Sequence, residues 1–160
     1  MIEIEFDDGG VAAGLDRLGG LLDDLTPVMQ EIGEYMTEAT KRRFREGTGP
    51  DGIAWAAKSA ATLAAYSRRG ERQDPRPLWG PTGMLAAQIF HEAGPDRVEV
   101  GSNRIYAAMM QFGGTKAAFP HLWGDIPARP FLGLSEDDRA AILEAIDIAL
   151  GAALGDPGAA

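Results

Sequence analysis

The chain contains no cysteine, which excludes disulfides, thiolate nucleophiles and cysteine-ligated zinc or iron–sulfur centres. Histidine is nearly as scarce. His91 and His121 stand thirty residues apart in no metal-ligand spacing, so a metal site has little to be built from. No window approaches 18 consecutive apolar residues, and the N-terminal MIEIEFDD lacks the basic and apolar regions of a secretory leader; a soluble protein made in the cytoplasm, without membrane contact, is expected. Bases are outnumbered, 15 against 24 acids, and the resulting charge of −9 argues against general nucleic-acid binding. The Gly47–Gly52 loop is not followed by the Lys and Ser/Thr of a phosphate cradle, and no serine sits in a Gly-x-Ser-x-Gly elbow. The acid pairs Asp7-Asp8, Asp23-Asp24 and Asp137-Asp138 fall at turns and helix starts, where capping and the helix dipole account for them. These absences predict neither catalysis nor a cofactor.

What is present suits one α+β domain over residues 1–154, followed by a frayed tail at 155–160. Ile2, Ile4 and Phe6 alternate with Glu3 and Glu5, the pattern of a short half-buried strand. Val11, Leu15, Leu18, Leu22 and Leu25 step by four and three, and Met29, Ile32, Met36 and Ala39 continue the rhythm, predicting two helices or one kinked at Pro27 with Thr26 as cap. Lys41 to Arg45 would supply cations to the helix C-terminus, with Gly47 as its stop. Gly94-Pro95-Asp96 predicts a hairpin turn, and Ile105–Phe112 a short helix. Ser135 with Asp138 has capping-box spacing ahead of a final helix with Ile142, Ala145, Ile146, Ala149, Leu150 and Ala153 on its apolar face. A small, mainly antiparallel sheet from the N-terminal strand and the hairpin would pack on the long N-terminal and C-terminal helices.

Charge is unevenly spread. Residues 1–40 carry −9, residues 41–76 carry +5 and residues 77–160 carry −5. The segment 47–79 reads as a long basic loop with Arg68, Arg69 and Arg72 near its tip and a short helix over Ser59–Tyr66, expected to be mobile until a partner orders it. Such asymmetry can join copies of the chain to one another, or dock an acidic partner through the loop; solvated surface explains it equally well.

One constellation carries more information: Tyr106-Ala107-Ala108-Met109-Met110-Gln111-Phe112-Gly113-Gly114, then Ile126-Pro127-Ala128-Arg129-Pro130-Phe131-Leu132-Gly133. Tyr106, Met109, Met110 and Phe112 can line one side of a helical turn that Gly113 or Gly114 ends, and Pro127 and Pro130 would hold Arg129 on extended backbone. A guanidinium so placed is suited to a carboxylate or several carbonyls, within the chain or across a subunit boundary. These two runs, with Pro50-Asp51-Gly52, Trp55 and Thr82-Gly83-x-Leu85, resemble the phage virion morphogenesis, or tail completion, family of Mu-like and related tailed phages and prophages. The similarity spans about residues 10–150, with Met110 departing from a histidine common in that family.

The resemblance implies a structural part rather than an enzyme. It would act at the tail end or the head-to-tail junction as a homo-oligomeric ring, hexameric among the candidates. It would meet tail tube, terminator or head connector proteins in the host cytoplasm and remain in the virion tail or neck. An acidic wall would suit a ring through which DNA passes. The other reading open at this point is a binding or regulatory module that docks an acidic partner through the basic loop.

Overall fold

A computed structural model describes residues 10–122 and 124–155. The expected strand at Ile2–Phe6 and the tail beyond Gly155 lie outside the described residues. Eight elements follow in order: α1 (Val11–Asp23), α2 (Thr26–Glu46), α3 (Ala60–Arg68), α4 (Met84–Ala87), β1 (Ile89–Ala93), β2 (Val98–Ser102), α5 (Ala107–Phe112) and α6 (Glu136–Leu154). Helices dominate, with β1 and β2 forming one antiparallel hairpin, so the fold is α+β.

The axis of the molecule is α2. At 21 residues it is about 31 Å long at the usual helical rise. The break ahead of it falls at Pro27, but Leu25, not Thr26, occupies the cap, and the Asp24 carboxylate accepts the Thr26 N–H at 2.9 Å. Gly47 ends the helix with φ 76°, its N–H returning to the Arg43 carbonyl. The buried face of α2 is Val28, Ile32, Met36, Ala39 and Thr40, then Arg43 and Phe44. Its first half packs against α6 through Ile142, Ala145, Ile146 and Ala149, and its second half meets Trp55, Leu85, Ile89 and Phe131. Phe44 and Phe131 are fully buried with ring centroids 5.2 Å apart, and Trp55 meets Phe44 edge-on at 5.6 Å. Offset and edge-on geometries of this kind are the favourable ones for aromatic pairs.

The hairpin lies across α2. His91 and Val98 pack on Gly33, where an added Cβ would sit 2.4 Å from the imidazole Cδ2, so any larger residue there would separate helix from sheet. His91 Nδ1 is 3.0 Å from Thr37 Oγ1, a side-chain contact that ties β1 to α2. The hairpin tip is pinned where the Leu25 N–H donates to the Pro95 carbonyl at 3.0 Å.

One expectation is corrected here. Leu15 and Leu22 are exposed, because α1 turns its Gly14, Leu18, Leu21 edge inward; Gly14 approaches the Leu154 carbonyl and Arg17 Nε donates to the Ala153 carbonyl at 2.9 Å. Close approach of two helices favours the small residue over the leucine stripe. The segment 47–79 holds the short helix expected at Ser59–Tyr66, and the stretches around it are tied down. That helix is α3, capped by the Ser59 side chain, and Lys58 Nζ donates to the Asp74 and Trp79 carbonyls at 2.5 and 2.6 Å. Asp74 grips Arg76 with both carboxylate oxygens, and the Arg76 guanidinium stacks 3.8 Å from the Trp79 ring centroid. Charges expected to repel are thus partly consumed by local pairing.

Candidate functional site

The two motifs singled out in the sequence meet in space. Gly114 and Ile126 exchange both backbone hydrogen bonds, at 2.9 and 2.8 Å, and the Arg129 N–H donates to the Met110 carbonyl at 2.9 Å. These bonds lay residues 126–133 as an extended strap beside α5. Side chains then complete it. Gln111 Oε1 accepts the Phe131 and Leu132 N–H groups at 2.9 and 3.0 Å while its Nε2 donates to the Leu132 carbonyl at 3.0 Å. Trp55 Nε1 donates to the Pro130 carbonyl at 2.9 Å, and Arg43 Nη1 to the carbonyls of Phe131 and Gly133 at 3.1 and 2.9 Å. The N–H groups of Arg129, Phe131 and Leu132 and the carbonyls from Pro130 to Gly133 therefore all have partners. Proline at 127 and 130 removes two N–H groups that would otherwise need one.

Arg129 itself is buried, 7% exposed, with Nε donating to the Ala56 carbonyl at 2.7 Å and Nη2 to the Ala57 carbonyl at 3.0 Å. Burial lowers its pKa from the ordinary arginine value. Of the two partners left open by the sequence, the structure contains the backbone carbonyls of its own chain. Lysine offers one ammonium in place of two divergent N–H donors. We expect Arg129→Lys to lower folding stability by about 1–3 kcal/mol, the cost of a charge-assisted hydrogen bond, with any loss of assembly following that of stability. A variant with parental denaturant midpoint and impaired assembly would show that Arg129 acts at an interface instead.

The group the sequence reading missed is the anchor of the strap. Arg43, read only as one of the cations suited to the α2 C-terminus, is buried and pairs through Nη2 with Asp138, itself 1% exposed. Asp138 accepts the Ser135 N–H at 2.8 Å, returns its own N–H to Ser135 Oγ at 3.1 Å and accepts the Tyr35 hydroxyl at 3.3 Å. Burial alone would raise its pKa; hydrogen bonding from Ser135, the Arg43 charge and the Tyr35 hydroxyl outweigh that and hold the carboxyl below its ordinary range. One signal was available: Arg43 continues the Ile32, Met36, Ala39 stripe at helical spacing, so it had to point inward.

The remaining motif residues are divided. Trp55, Gln111, Arg129, Phe131 and Leu132 form the clamp. Gly113, Gly114, Pro127 and Pro130 shape its backbone. Tyr106 and Phe112 were expected to line the packed side of α5, but Phe112 is 78% exposed and Tyr106 sits at the rim, because α5 buries Ala107 and turns Gln111 toward the strap. Ile105, the residue before Tyr106, is fully exposed. Arg68, Arg69 and Arg72 lie on the surface of the α3 lobe, Arg69 paired with Glu71 at 2.8 Å. Among the described residues no cluster of His, Asp or Glu is placed to hold a metal, and no helix is long and apolar enough to cross a membrane.

This arrangement is a set of hydrogen bonds and one buried ion pair that hold the strap against α2 and α5. It is a rigid structural motif that fixes a surface, the class of site expected in an assembly protein. Comparison with known proteins agrees: residues 6–151 match the phage virion morphogenesis family, to which this chain belongs. Its role is structural, in phage virion assembly. It is 33% identical over 154 residues to the putative capsid assembly protein G of Escherichia phage Mu, covering 92% of this chain and 97% of that protein. It is 34% identical over 147 residues to the Mu-like prophage FluMu G protein 2 of Haemophilus influenzae, covering 91% and 94%. No solved structure matches the chain.

Proposed function

We infer that the chain acts in tail completion or head–tail joining as the subunit of a homo-oligomeric ring. The observation carrying this reading is a division of charge along α2. At the start of α2 lie α1 and the end of α6, with exposed Asp16, Asp23, Asp24, Glu144 and Asp147 beside exposed Leu15, Leu22, Ile148 and Leu154. Near its end lie Arg42, Arg45 and the α3 lobe with Arg68, Arg69 and Arg72, interleaved with exposed Glu46, Asp51, Glu136 and Asp137 and beside exposed Ile53, Ile105 and Phe112. Two unlike faces, one acidic and one carrying exposed arginines among acids, each with exposed apolar side chains, suit head-to-tail contact. Such contacts close into rings when the rotation between neighbours divides a full turn. The surfaces left outside those contacts would meet tail or connector proteins above and below the ring.

Light scattering across protein and salt concentration tests this. A particle several times the 17.0 kDa chain should form at low salt and dissociate as ionic strength rises, since exposed charges are screened beyond about 10 Å at 0.1 M. Arg68→Glu with Arg72→Glu should shift dissociation to lower salt while leaving the melting temperature unchanged. A monomer at every concentration, with that pair of substitutions without effect on virion assembly, would overturn the reading; capture of an acidic protein by the same monomer would favour the docking module.

A further inference from the structure

The hairpin leaves one edge open beside an apolar slot. The Gly94 N–H donates to the Arg97 carbonyl at 2.8 Å, so residues 94 and 97 form a hydrogen-bonded pair. Such pairs alternate along an antiparallel ladder, and the register Glu92↔Glu99 and Phe90↔Gly101 makes these the next two. Val98 and Val100 consequently turn their N–H and C=O groups away from β1, and among the described residues nothing bonds to them. Where the next strand would lie there is instead a cavity of about 350 Å³, floored by Ile32 and Met36 of α2 and walled by Val98 and Val100 on one side and Ile142 and Ile146 of α6 on the other. Leu132–Leu134, the end of the strap, border it. An unpaired edge next to an unfilled apolar cavity is a template for strand addition.

We propose that this slot receives residues Ile2–Phe6 of a second copy of the chain, which add to β2 as a third strand. This rests on the reading that copies associate. The segment has the required pattern: Ile2, Ile4 and Phe6 would enter the slot on the α2 side of the sheet, and Glu3 and Glu5 would stay on the outer side with Glu92 and Glu99. Its five residues match the five of β2. Reach favours the neighbour over the same chain. Gly14 lies against Leu154, whereas the slot touches α6 no nearer than Ile146, eight residues earlier. Along α6 those eight residues span about 12 Å, and the four steps from Phe6 to Gly10 span at most about 14 Å, so a return to the slot within the same chain would leave the segment little slack. In a head-to-tail ring the arm leaves the acidic end of one copy, and the slot is bordered by the strap, which Arg43 anchors near the arginine-bearing end of the next.

The cysteine-free chain makes the test direct. Ile4→Cys is prepared in one sample and Val100→Cys, or Val98→Cys to cover the alternate register, in another; the two are mixed under oligomer-forming conditions, oxidised mildly and run without reductant. A disulfide-linked dimer should form in the mixture, at least fivefold more than with Glu5→Cys in place of Ile4→Cys. Circular dichroism melts of each variant check that it folds. Oligomers that persist by light scattering with no such dimer from either valine position would overturn the strand proposal and leave the ring reading standing. A chain carrying both Ile4→Cys and Val100→Cys that closes only on itself would assign the slot to the same chain, also overturning it. Absence of any oligomer would remove both readings.

Discussion

Replacing Arg43 by methionine should destabilise the domain by about 3–5 kcal/mol, the cost of leaving one charge of a buried pair without its partner. The expected loss exceeds that of an ordinary surface ion pair for two reasons. Asp138 would remain buried with a charge that only Ser135 and Tyr35 could offset, and the carbonyls of Phe131 and Gly133 would lose their donor. Equilibrium denaturation reads the effect directly, and a change under 1 kcal/mol would show that the pair is dispensable. The pH dependence provides a second check. Because the folded Asp138 carboxyl titrates below its unfolded value, its contribution is fully present above about pH 4 and is lost as the pH falls through the folded pKa. Asp138→Asn should therefore be less stable than the parent at neutral pH and show a shallower loss of stability on acidification below pH 4.

Gly113→Ala should be comparably severe, at about 3 kcal/mol or more, combining an unfavourable backbone with a direct clash. Gly113 adopts φ 69°, and a Cβ there would stand 2.6 Å from the Ala128 nitrogen and 2.7 Å from the Ile126 carbonyl oxygen. Both obstacles are backbone, held by the Gly114–Ile126 exchange and by the Arg129 N–H bond to Met110, so neither can retreat without opening the strap. The adjacent Gly114→Ala supplies the contrast. Its Cβ would meet the Met109 sulfur and the edge of the partly exposed Phe119, side chains that can rotate away, and its cost should be nearer 1 kcal/mol. Thermal melts of the two variants should separate clearly; equal melting temperatures would mean that the strap tolerates displacement.

Much of the fold was legible in the chain because its signals are local. The Ser135 capping box, the Gly47 stop, the break at Pro27 and the Gly94–Asp96 hairpin turn each follow from the chemistry of a few consecutive residues, and each stands where expected. Ile142, Ala145, Ile146 and Ala149 of the α6 stripe pack as their spacing implied. Selection among competing local patterns was not legible. In α1 the leucine stripe and the Gly14, Leu18, Leu21 edge are both helical, and only the proximity of α6 decides for the edge. The helix of the α3 lobe was legible, but the stretch around it looked free because Lys58, Asp74 and Arg76 bond across turns of 2 to 21 residues to carbonyls and rings that no periodicity announces.

The motif residues show the same division. In the sequence, Gln111, Gly113, Arg129 and Phe131 were drawn together by the resemblance of their two runs to one family's motifs; glycine and proline at those places restrict the backbone, and the spacing alone left a core turn with a surface arginine equally open. The sequence by itself determined, by what the chain lacks, that the unit is not a thiol or zinc–cysteine centre. Only the tertiary structure decided that Arg129 spends its guanidinium on Ala56 and Ala57, that Arg43 turns inward to Asp138 95 residues away, and that Phe112 faces outward. A hydrogen-bonding group declares its capacity in the sequence; its partner is chosen by which other unsatisfied group the packing of α2, α5 and α6 buries beside it.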